Sequence, residues 1–410
     1  MSGFLPLNRN INNLLYIFCA VLFISCGAIS TENPCDPSSD TFLNTQLLKF
    51  LVNDTSSTCG GGAIENSCNV FKNGEAATIV LGQADFTDNS AFGTAPNQFR
   101  GVAGAAMDVQ GGLWVSDAYG GPADSRILHF PSPIQTNADA DIILTANPLE
   151  ARLIAMDLSG GLWVVAGTTS TGNKVVHYAP GMISGDSPDM MLGTGGSGSN
   201  PDQLNNPYGV AVDPTDGGVW VADYFNNRVT HYQAPITNSM SADKALGVLG
   251  LSGAGSGGPA SNTTITRPTG VAVDPAGNLW VAEYGNNRVL RFSPPFSTGM
   301  QANMVLGQPN FTTSASGSGR FGLAGPNAVS IDSSGAVWVA DTGNGRAVRF
   351  SPPFSSLGKG ADAVLGKPDF NAGFNAAATA ENTGSVVSVA AAPCGLWVMD
   401  SNNRRVLFFP

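Results

Sequence analysis

The sequence predicts an all-β protein, and three observations support that prediction. Charged residues make up 12% of the 410 residues, about half of their share in an average soluble protein. Gly and Pro, which favour turns, number 51 and 26. All six tryptophans stand in one short phrase that recurs along the chain, between β-branched residues and turn residues. This pattern is typical of short strands joined by tight turns.

The composition also excludes several classes of protein. The formal net charge is −11, so the long-range electrostatic field repels the phosphate backbone of nucleic acids. The 42% share of hydrophobic residues is too high for a disordered chain. Helical bundles need more charged residues on their exposed faces than this chain supplies. We therefore expect a globular β protein with no nucleic-acid partner.

Residues 1–25 have the pattern of a signal peptide. Residues 14–24 are apolar and uncharged, which is too short to span a bilayer but matches the apolar region of a secretory signal. Residues 23–27 read Phe-Ile-Ser-Cys-Gly and resemble a bacterial lipobox, which implies that Cys26 is lipidated. Phe in place of the usual Leu leaves ordinary cleavage as an alternative. The sequence predicts an exported protein, lipid-anchored in the bacterial cell envelope or extracellular, whose only membrane contact is an N-terminal lipid.

Residues 26–75, rich in Ser, Thr and Gly, are predicted to form a tether that carries cysteines. Besides Cys26 and one cysteine in the signal, four remain: Cys35, Cys59, Cys68 and Cys394. An even number in an oxidising compartment permits two disulfides, with three connectivities. Cys394 could bond Cys59 or Cys68. Metal binding is the weaker interpretation, because the cysteines lack the close spacing of a metal site and His is scarce.

The recurring phrase defines six units. It contains Trp114, Trp163, Trp220, Trp280, Trp338 and Trp397, at intervals of about 50 to 60 residues, which indicates a repeat architecture. In the clearest unit, residues 270–273, 279–282 and 288–292 are predicted strands. Between the first two of these strands, residues 274–277 read Asp-Pro-Ala-Gly, which favours a type I turn.

A fourth strand is predicted between consecutive units. Residues 304–311 read Met-Val-Leu-Gly-Gln-Pro-Asn-Phe, and residues 363–370 repeat the pattern. Four antiparallel strands per unit are typical of a propeller blade. The sixth unit ends after its third strand, whereas residues 78–86 have the pattern of a fourth strand without a unit. We therefore expect a six-bladed β-propeller over residues 76–410, closed by pairing of strand 78–86 with strand 405–410, which removes unpaired edges.

The phrase Gly-Val-Ala-Val-Asp, followed by Leu-Trp-Val-Ala and Asn-Asn-Arg-Val, resembles the NHL repeat. The resemblance covers about residues 76–410 and implies a six-bladed propeller of the exported bacterial type. Family members bind proteins or RNA, or act as lyases and hydrolases, so the resemblance implies a fold more specifically than a function. Unit two departs most from the pattern, with Ala166 at an acidic position and Lys174 near an Arg position.

An acidic residue stands three positions after five of the tryptophans, and an Arg follows it. The pairs are Asp117 with Arg126, Asp223 with Arg228, Glu283 with Arg288, Asp341 with Arg346, and Asp400 with Arg405. One interpretation is a ring of charges around a binding face. A pattern in nearly every unit is more typical of a scaffold, because a single site would be asymmetric. We therefore expect these residues to hold loops, either within a blade or between blades.

Three histidines, His129, His177 and His231, occupy one position near the end of the third strand. Because that strand lies away from the channel, we do not expect them to converge on a metal ion and interpret them as surface polar residues. No nucleophile motif or phosphate-binding loop is present. We therefore assign no catalytic residue.

The candidate binding surface is the face that carries the Gly/Ser-rich connections at 194–206, 250–266 and 312–325, which we expect to be flexible. Aromatic residues follow the acidic position on this face: Tyr119, Tyr224, Phe225 and Tyr284. Aromatic side chains on loops held by a rigid scaffold are suitable binding anchors, and packing against a neighbouring blade is the alternative.

These observations predict a binding or scaffold propeller for a protein, peptide or glycan, with no cofactor. The alternative is a secreted lyase or hydrolase with a metal ion in the central channel. Backbone and Asp oxygens could hold Ca²⁺ there without any His. The sequence predicts no particular oligomeric state.

Overall fold

The computed structural model describes residues 71–118, 125–145, 150–167, 172–373 and 378–410. These residues form six separate sheets, each of four antiparallel strands. Each sheet corresponds to one repeat unit and is one blade of a ring. The predicted all-β, six-bladed propeller is confirmed.

The strands occupy equivalent positions in every blade. The first strands are β2 (Val102–Met107), β6 (Glu150–Met156), β10 (Pro207–Val212), β14 (Pro268–Val273), β18 (Pro326–Ile331) and β22 (Val386–Ala392). The second strands are β3 (Leu113–Asp117), β7 (Leu162–Gly167), β11 (Val219–Asp223), β15 (Leu279–Glu283), β19 (Val337–Asp341) and β23 (Gly395–Asp400). The third strands are β4 (Arg126–Phe130), β8 (Asn173–Tyr178), β12 (Arg228–Tyr232), β16 (Arg288–Phe292), β20 (Arg346–Phe350) and β24 (Arg405–Phe409). The fourth strands are β5 (Ile142–Thr145), β9 (Met190–Gly195), β13 (Lys244–Leu246), β17 (Met304–Leu306), β21 (Ala363–Leu365) and, for blade six, β1 (Ile79–Leu81).

The first strands line the centre of the ring. Each packs against the first strands of both neighbouring blades, and β22 of blade six packs against β2 of blade one. The sixth sheet has the order β1-β24-β23-β22. In it Val80 lies opposite Leu407. The predicted closure by the two ends of the propeller is therefore confirmed.

The apolar core lies between the blades. Each of the six apolar clusters in the described residues combines side chains from two neighbouring blades, and one of them also includes Leu153 of blade two. The second strands are buried on both faces, so they are continuous apolar runs and do not alternate. Trp280 is fully buried and packs edge-on against Phe354, with the ring centroids 4.7 Å apart. The recurrence of Trp in every unit follows from its place in this interface.

Three of the fourth strands are shorter than the sequence pattern predicts. The strands β17, β21 and β1 have 3 residues each, because the following glycine ends the strand. Gly82, Gly307 and Gly366 have φ angles of 90°, 78° and 78°, in the left-handed region that extended strands do not use. The predicted loop after β15 contains a short 3₁₀ turn at Tyr284–Asn286.

The connections between strands emerge on two faces. We call the loop face the one with the second-to-third loops and the connections from each fourth strand to the next blade. The opposite, turn face carries the first-to-second turns and the third-to-fourth connections. Among the described residues, no helix has the length and hydropathy that a membrane crossing needs.

Cys394 lies in a turn-face turn and is disulfide-bonded. The other five cysteines lie outside the described residues, so the predicted pairing stays a prediction. The signal peptide, lipidation at Cys26 and the tether also lie outside the described part of the chain.

Candidate functional site

Five buried ion pairs occupy equivalent places in five blades. Each joins the end of the second strand to the start of the third. The distances from Arg Nε to the carboxylate oxygen are 3.0 Å for Arg126–Asp117, 2.8 Å for Arg228–Asp223, 2.5 Å for Arg288–Glu283, 2.8 Å for Arg346–Asp341 and 3.0 Å for Arg405–Asp400. The pairs therefore form within blades, and Arg126, displaced in sequence, occupies the same position as the others.

The paired arginines fasten the long connections to the blades. Arg346 donates hydrogen bonds to the carbonyl oxygens of Phe370 at 2.5 Å and Gly319 at 2.9 Å. Asp341 accepts a hydrogen bond from the backbone N–H of Ala324 at 2.7 Å. The Gly/Ser-rich connections, which the sequence predicts to be flexible, are thus fastened to the blades by buried side chains at these points. These contacts are those of scaffold residues.

Blade two lacks the pair and carries an arginine elsewhere. Ala166 stands in the acidic position and pairs across the strands with Lys174. Arg152 lies on the first strand, β6, and its side chain crosses the backbone at Gly167. A Cβ at Gly167 would lie 2.2 Å from Arg152 Nε, so the guanidinium depends on a glycine there. This blade breaks the symmetry of the ring at its centre.

A β-bulge near the start of every first strand places one side chain at the end of the channel. Each first strand shifts register against its second strand at this point. The bulge residues at equivalent positions are Ala103, Arg152, Tyr208, Thr269, Asn327 and Val387. All of them except Thr269 line one cavity at the loop-face end of the channel. Bulges often re-aim side chains beside functional sites.

This cavity, which we call the channel mouth, has a volume of about 190 Å³ and is also lined by Glu150 and Ser401. Arg152 Cζ lies 4.2 Å from the centroid of the Tyr208 ring, a cation–π contact. Arg152 Nη1 is buried and has no hydrogen-bond partner among the described residues. Burial lowers the pKa of Arg152 and raises the pKa of Tyr208, because desolvation disfavours the charged form of each group. Arginine nevertheless stays protonated at neutral pH.

A run of aromatic rings leads from the channel mouth to the surface. The ring centroids of Tyr208 and Tyr224 are 5.6 Å apart, and those of Tyr224 and Phe225 are 5.2 Å apart. Phe225 is 55% exposed, whereas Tyr224 is half-buried between its two neighbours. Tyr224 therefore packs within the protein, and Phe225 presents its ring to solvent.

The exposed aromatic side chains are confined to the loop face. Among the described residues they are Phe92, Phe225, Tyr284 and Phe321. Tyr284 is 43% exposed and lies close to Gly325 of the next blade. Tyr119, the remaining predicted anchor, lies outside the described residues. The large apolar residues exposed on the turn face are aliphatic: Val109, Leu158, Ile183 and Leu357.

A second cavity on the loop face has a volume of about 290 Å³ and is lined by Asn227, Ser256, Gly257, Thr266, Arg267 and Gly285. Its Asn227 accepts a hydrogen bond from the backbone N–H of Arg267 at 2.9 Å and donates one to the Gly255 carbonyl at 3.3 Å. Asn227 therefore joins blade three to the next connection, and the channel mouth is the stronger candidate site.

The three histidines are largely buried, which corrects their interpretation as surface residues. His177 lies between Asp157 and Asp189, at 2.8 and 2.7 Å, and packs against Trp163 with the ring centroids 4.7 Å apart and the ring planes inclined by 47°. The equivalent contacts are those of His129 with Asp108, Asp141 and Trp114, and of His231 with Asp243 and Trp220. Each histidine belongs to a separate blade. Among the described residues, no group of three or more His, Cys, Asp or Glu side chains is arranged to hold a metal ion.

The sequence reasoning missed Arg152, Tyr208 and Glu150. The sequence does indicate the first two. Arg152 and Tyr208 stand at the same position of the repeat, five residues before the aspartate that begins the turn after the first strand, Asp157 and Asp213. The residue type at this position differs in every unit, although its neighbours follow the repeat. Variation at one position of a regular repeat indicates where the ring departs from symmetry.

Comparison with known proteins agrees with this architecture. The NHL repeat family model matches residues 204–232 and 266–292, within blades three and four. No curated protein matches the chain. A structure of a protein of unknown function from Bacteroides thetaiotaomicron VPI-5482 is similar, with a TM-score of 0.53, 13% sequence identity, and coverage of 82% of this chain and 76% of that one.

Virginiamycin B lyase from Staphylococcus aureus is also similar, at 13% identity and a TM-score of 0.44 over 77% of this chain and 96% of the lyase. The WD40 β-propeller domain of Doa1 has 11% identity and a TM-score of 0.47 over 83% of this chain and 95% of that domain. Of these likenesses, the one to the Bacteroides protein bears on the fold, and none bears on activity. The chain is a six-bladed β-propeller in which two segments, one in blade three and one in blade four, match the NHL repeat model.

Proposed function

We propose that this propeller is a binding module whose protein or peptide partner docks on the loop face, around the channel mouth. The observation that carries the proposal is the confinement of exposed aromatic side chains to this face. Aromatic residues supply large contact areas with few rotatable bonds and are common hot spots of interfaces.

The positions of the anchors favour a protein or peptide over a small glycan. Phe92 precedes the first strand of blade one, Phe225 lies in blade three, and Phe321 precedes blade five. A partner must span the ring to touch all three. Stable protein interfaces bury about 800 Å² on each partner, which an extended face of this kind can supply.

The buried ion pairs support binding by keeping the face in one conformation. The arginines hold the connections through their backbone carbonyls, so less entropy is lost when a partner docks. Export and attachment through Cys26 are part of the same proposal, because they would place the loop face outside the cytoplasm.

The test is selection of random displayed peptides on the immobilised propeller, followed by calorimetry of a selected peptide. We expect the double variant Phe225→Ala and Tyr284→Ala to bind at least about tenfold more weakly, since each truncation removes an aromatic anchor. The matched control is Leu158→Ala with Ile183→Ala, which truncates two apolar residues exposed on the turn face. We expect the control to bind within about twofold of the unsubstituted protein.

Unchanged binding by the loop-face variant would contradict the proposed face, as would loss of binding by the control. Turnover of a bound ligand together with one tightly held metal ion per chain would instead favour the lyase or hydrolase alternative. Elemental mass spectrometry of the purified protein, without prior chelation, measures that metal content.

A further inference from the structure

We propose that the channel mouth is a carboxylate-binding site in which the guanidinium of Arg152 receives one carboxylate of the docked peptide. The inference rests on the proposed function for the identity of the ligand as a peptide. The preference for a carboxylate can be tested without a known partner.

The argument begins with a buried donor that lacks an acceptor. Arg152 Nη1 is inaccessible to solvent and has no hydrogen-bond partner among the described residues. An unsatisfied buried donor destabilises a protein, and more so when it carries charge. The five paired arginines avoid this by bonding to a carboxylate and to backbone carbonyls, so Arg152 differs from them. A bound anion would supply the missing acceptor.

The surroundings hold the guanidinium in place. Tyr208 packs against it at 4.2 Å, and the missing side chain at Gly167 provides the space that it crosses. A planar guanidinium held in this way presents a fork of donors that matches the two oxygens of a carboxylate. Ser401 lines the same cavity and offers a hydroxyl donor.

The charge of the cavity favours a singly charged ligand. Glu150 also lines the channel mouth, and the net charge of the chain is −11. Glu150 and the net negative charge of the chain would both repel a phosphate or sulfate dianion, and Arg152 alone would have to offset this repulsion. A carboxylate carries one charge and needs one arginine.

The aromatic run from Tyr208 through Tyr224 to Phe225 gives the direction of the ligand. A carboxylate at Arg152 would place the rest of the ligand along these rings, towards the loop face. Peptides offer two such groups, the C-terminal carboxylate and the side chain of Asp or Glu. Both have the same chemistry at Arg152.

The experiment compares small acids with their amides by saturation-transfer NMR at matched ionic strength. N-acetylglycine represents a peptide C-terminus, and N-acetylaspartate methylamide represents an acidic side chain. We expect at least one acid to bind at least about tenfold more tightly than its uncharged amide, because only the acid gives Arg152 a charged acceptor. The acid that binds more tightly identifies the source of the carboxylate.

Three variants test the residues. Arg152→Gln removes the charge, and we expect at least tenfold weaker binding of the acid. Gly167→Ala keeps every charge but displaces the guanidinium, and we expect at least threefold weaker binding. Glu150→Gln removes a negative charge that repels the acid, and we expect the acid to bind about twofold more tightly or better. The matched control is Gly196→Ala, where a Cβ meets nothing within 4 Å, and we expect no change.

Equal binding of acid and amide to the unsubstituted protein would overturn the inference, as would unaltered acid binding by Gly167→Ala. These two results decide the question even if Arg152→Gln fails to fold. If acid and amide bind alike while Phe225→Ala with Tyr284→Ala still abolishes peptide binding, the carboxylate site is wrong and the proposed function stands. If the acids bind through Arg152 but the loop-face substitutions leave peptide binding unchanged, the proposed function is wrong.

Discussion

Histidine in blades one and two acts as a charged bridge between two aspartates. His129 Nε2 lies 2.9 Å from Asp108 and its Nδ1 lies 2.7 Å from Asp141. Ionised carboxylates only accept hydrogen bonds, so both ring nitrogens must donate, and the imidazole is protonated. Burial acts to lower the pKa of His129, but the two aspartates outweigh it and the pKa is raised. The same balance raises the pKa of His177.

The stability of the propeller should therefore fall as the pH rises above neutrality. Because the folded-state pKa of His129 and His177 is raised, their contribution is complete below about 6.5, the usual value for histidine. It is lost as the pH rises through the folded-state values. Asp141 and Asp189 are 47% and 43% exposed, so solvent screening limits the effect to about 1 kcal/mol for each histidine. Urea unfolding from pH 6 to pH 9 measures it.

The double variant His129→Gln and His177→Gln serves as the control, and its unfolding free energy should be nearly constant over that range. Below about pH 4 the dependence of stability on pH has the opposite sign, and stability falls as the pH is lowered. Burial acts to raise the pKa of Asp108, but hydrogen bonds from His129 and Gly112 lower it overall, so stability is lost as acid protonates this carboxyl. A protein whose stability rises from pH 6 to pH 9 would refute the charged bridge.

At the scale of the element, a Leu-Gly step ends the fourth strand in four of the six blades. The glycine redirects the chain into the connection that covers the loop face. Gly307 has a φ of 78°, and a Cβ there would lie 2.4 Å from Leu323 Cδ1. Leu323 is fully buried, so it has little room to move. The step therefore needs glycine for both its conformation and its packing.

The substitution Gly307→Ala should destabilise the propeller more than Gly335→Ala does. Gly335 has a similar φ of 77°, but a Cβ there meets nothing within 4 Å. The strain of a left-handed alanine, about 1–2 kcal/mol, is common to both variants. Displacement of Leu323 should add about 1–3 kcal/mol to Gly307→Ala. Chemical unfolding of the two variants measures the difference, and equal stabilities would show that Leu323 adapts without cost.

The strands inside the repeated phrase were predictable from sequence, whereas the ends of the fourth strands were less so. Residues 288–292 were predicted as a strand and form β16, because Trp, β-branched residues and turn signals agree there. The fourth strands predicted at 78–86, 304–311 and 363–370 were too long, because the sequence pattern continues past the glycine that ends the strand. The histidines were predicted to lie on the surface. The sequence of one unit does not show that aspartates of the neighbouring turns and connections pack over the third strand and cover them.

At the scale of the whole molecule, the fold follows from local repetition, whereas the candidate site does not. Five of the six bulge residues line the channel mouth, although they are far apart in sequence and come together only when the ring closes. The bulge aims Arg152 at the channel, but no local propensity predicts that Tyr208 of the next blade lies against it. The departure of unit two is visible in the sequence at Ala166 and Lys174, whereas the place of Arg152 at the channel mouth is visible only in the assembled ring. Asymmetry in a repeat therefore locates the unusual blade before the structure identifies the unusual side chain.

Closure of the ring depends on a strand from the N-terminal end of the propeller. The strand β1 supplies the fourth strand of blade six, with Val80 and Leu81 fully buried and paired to β24. Deletion of residues 78–86 should lower the unfolding free energy by about 5 kcal/mol or more, since it removes the buried side chains of Val80, Leu81 and Gln83 and leaves the edge of β24 unpaired. Chemical unfolding measures the loss. A peptide of residues 76–88 added in excess should restore stability, and the same peptide with Val80→Asp and Leu81→Asp should not. An unchanged unfolding midpoint after the deletion would mean that the other contacts between blades six and one hold the ring without β1.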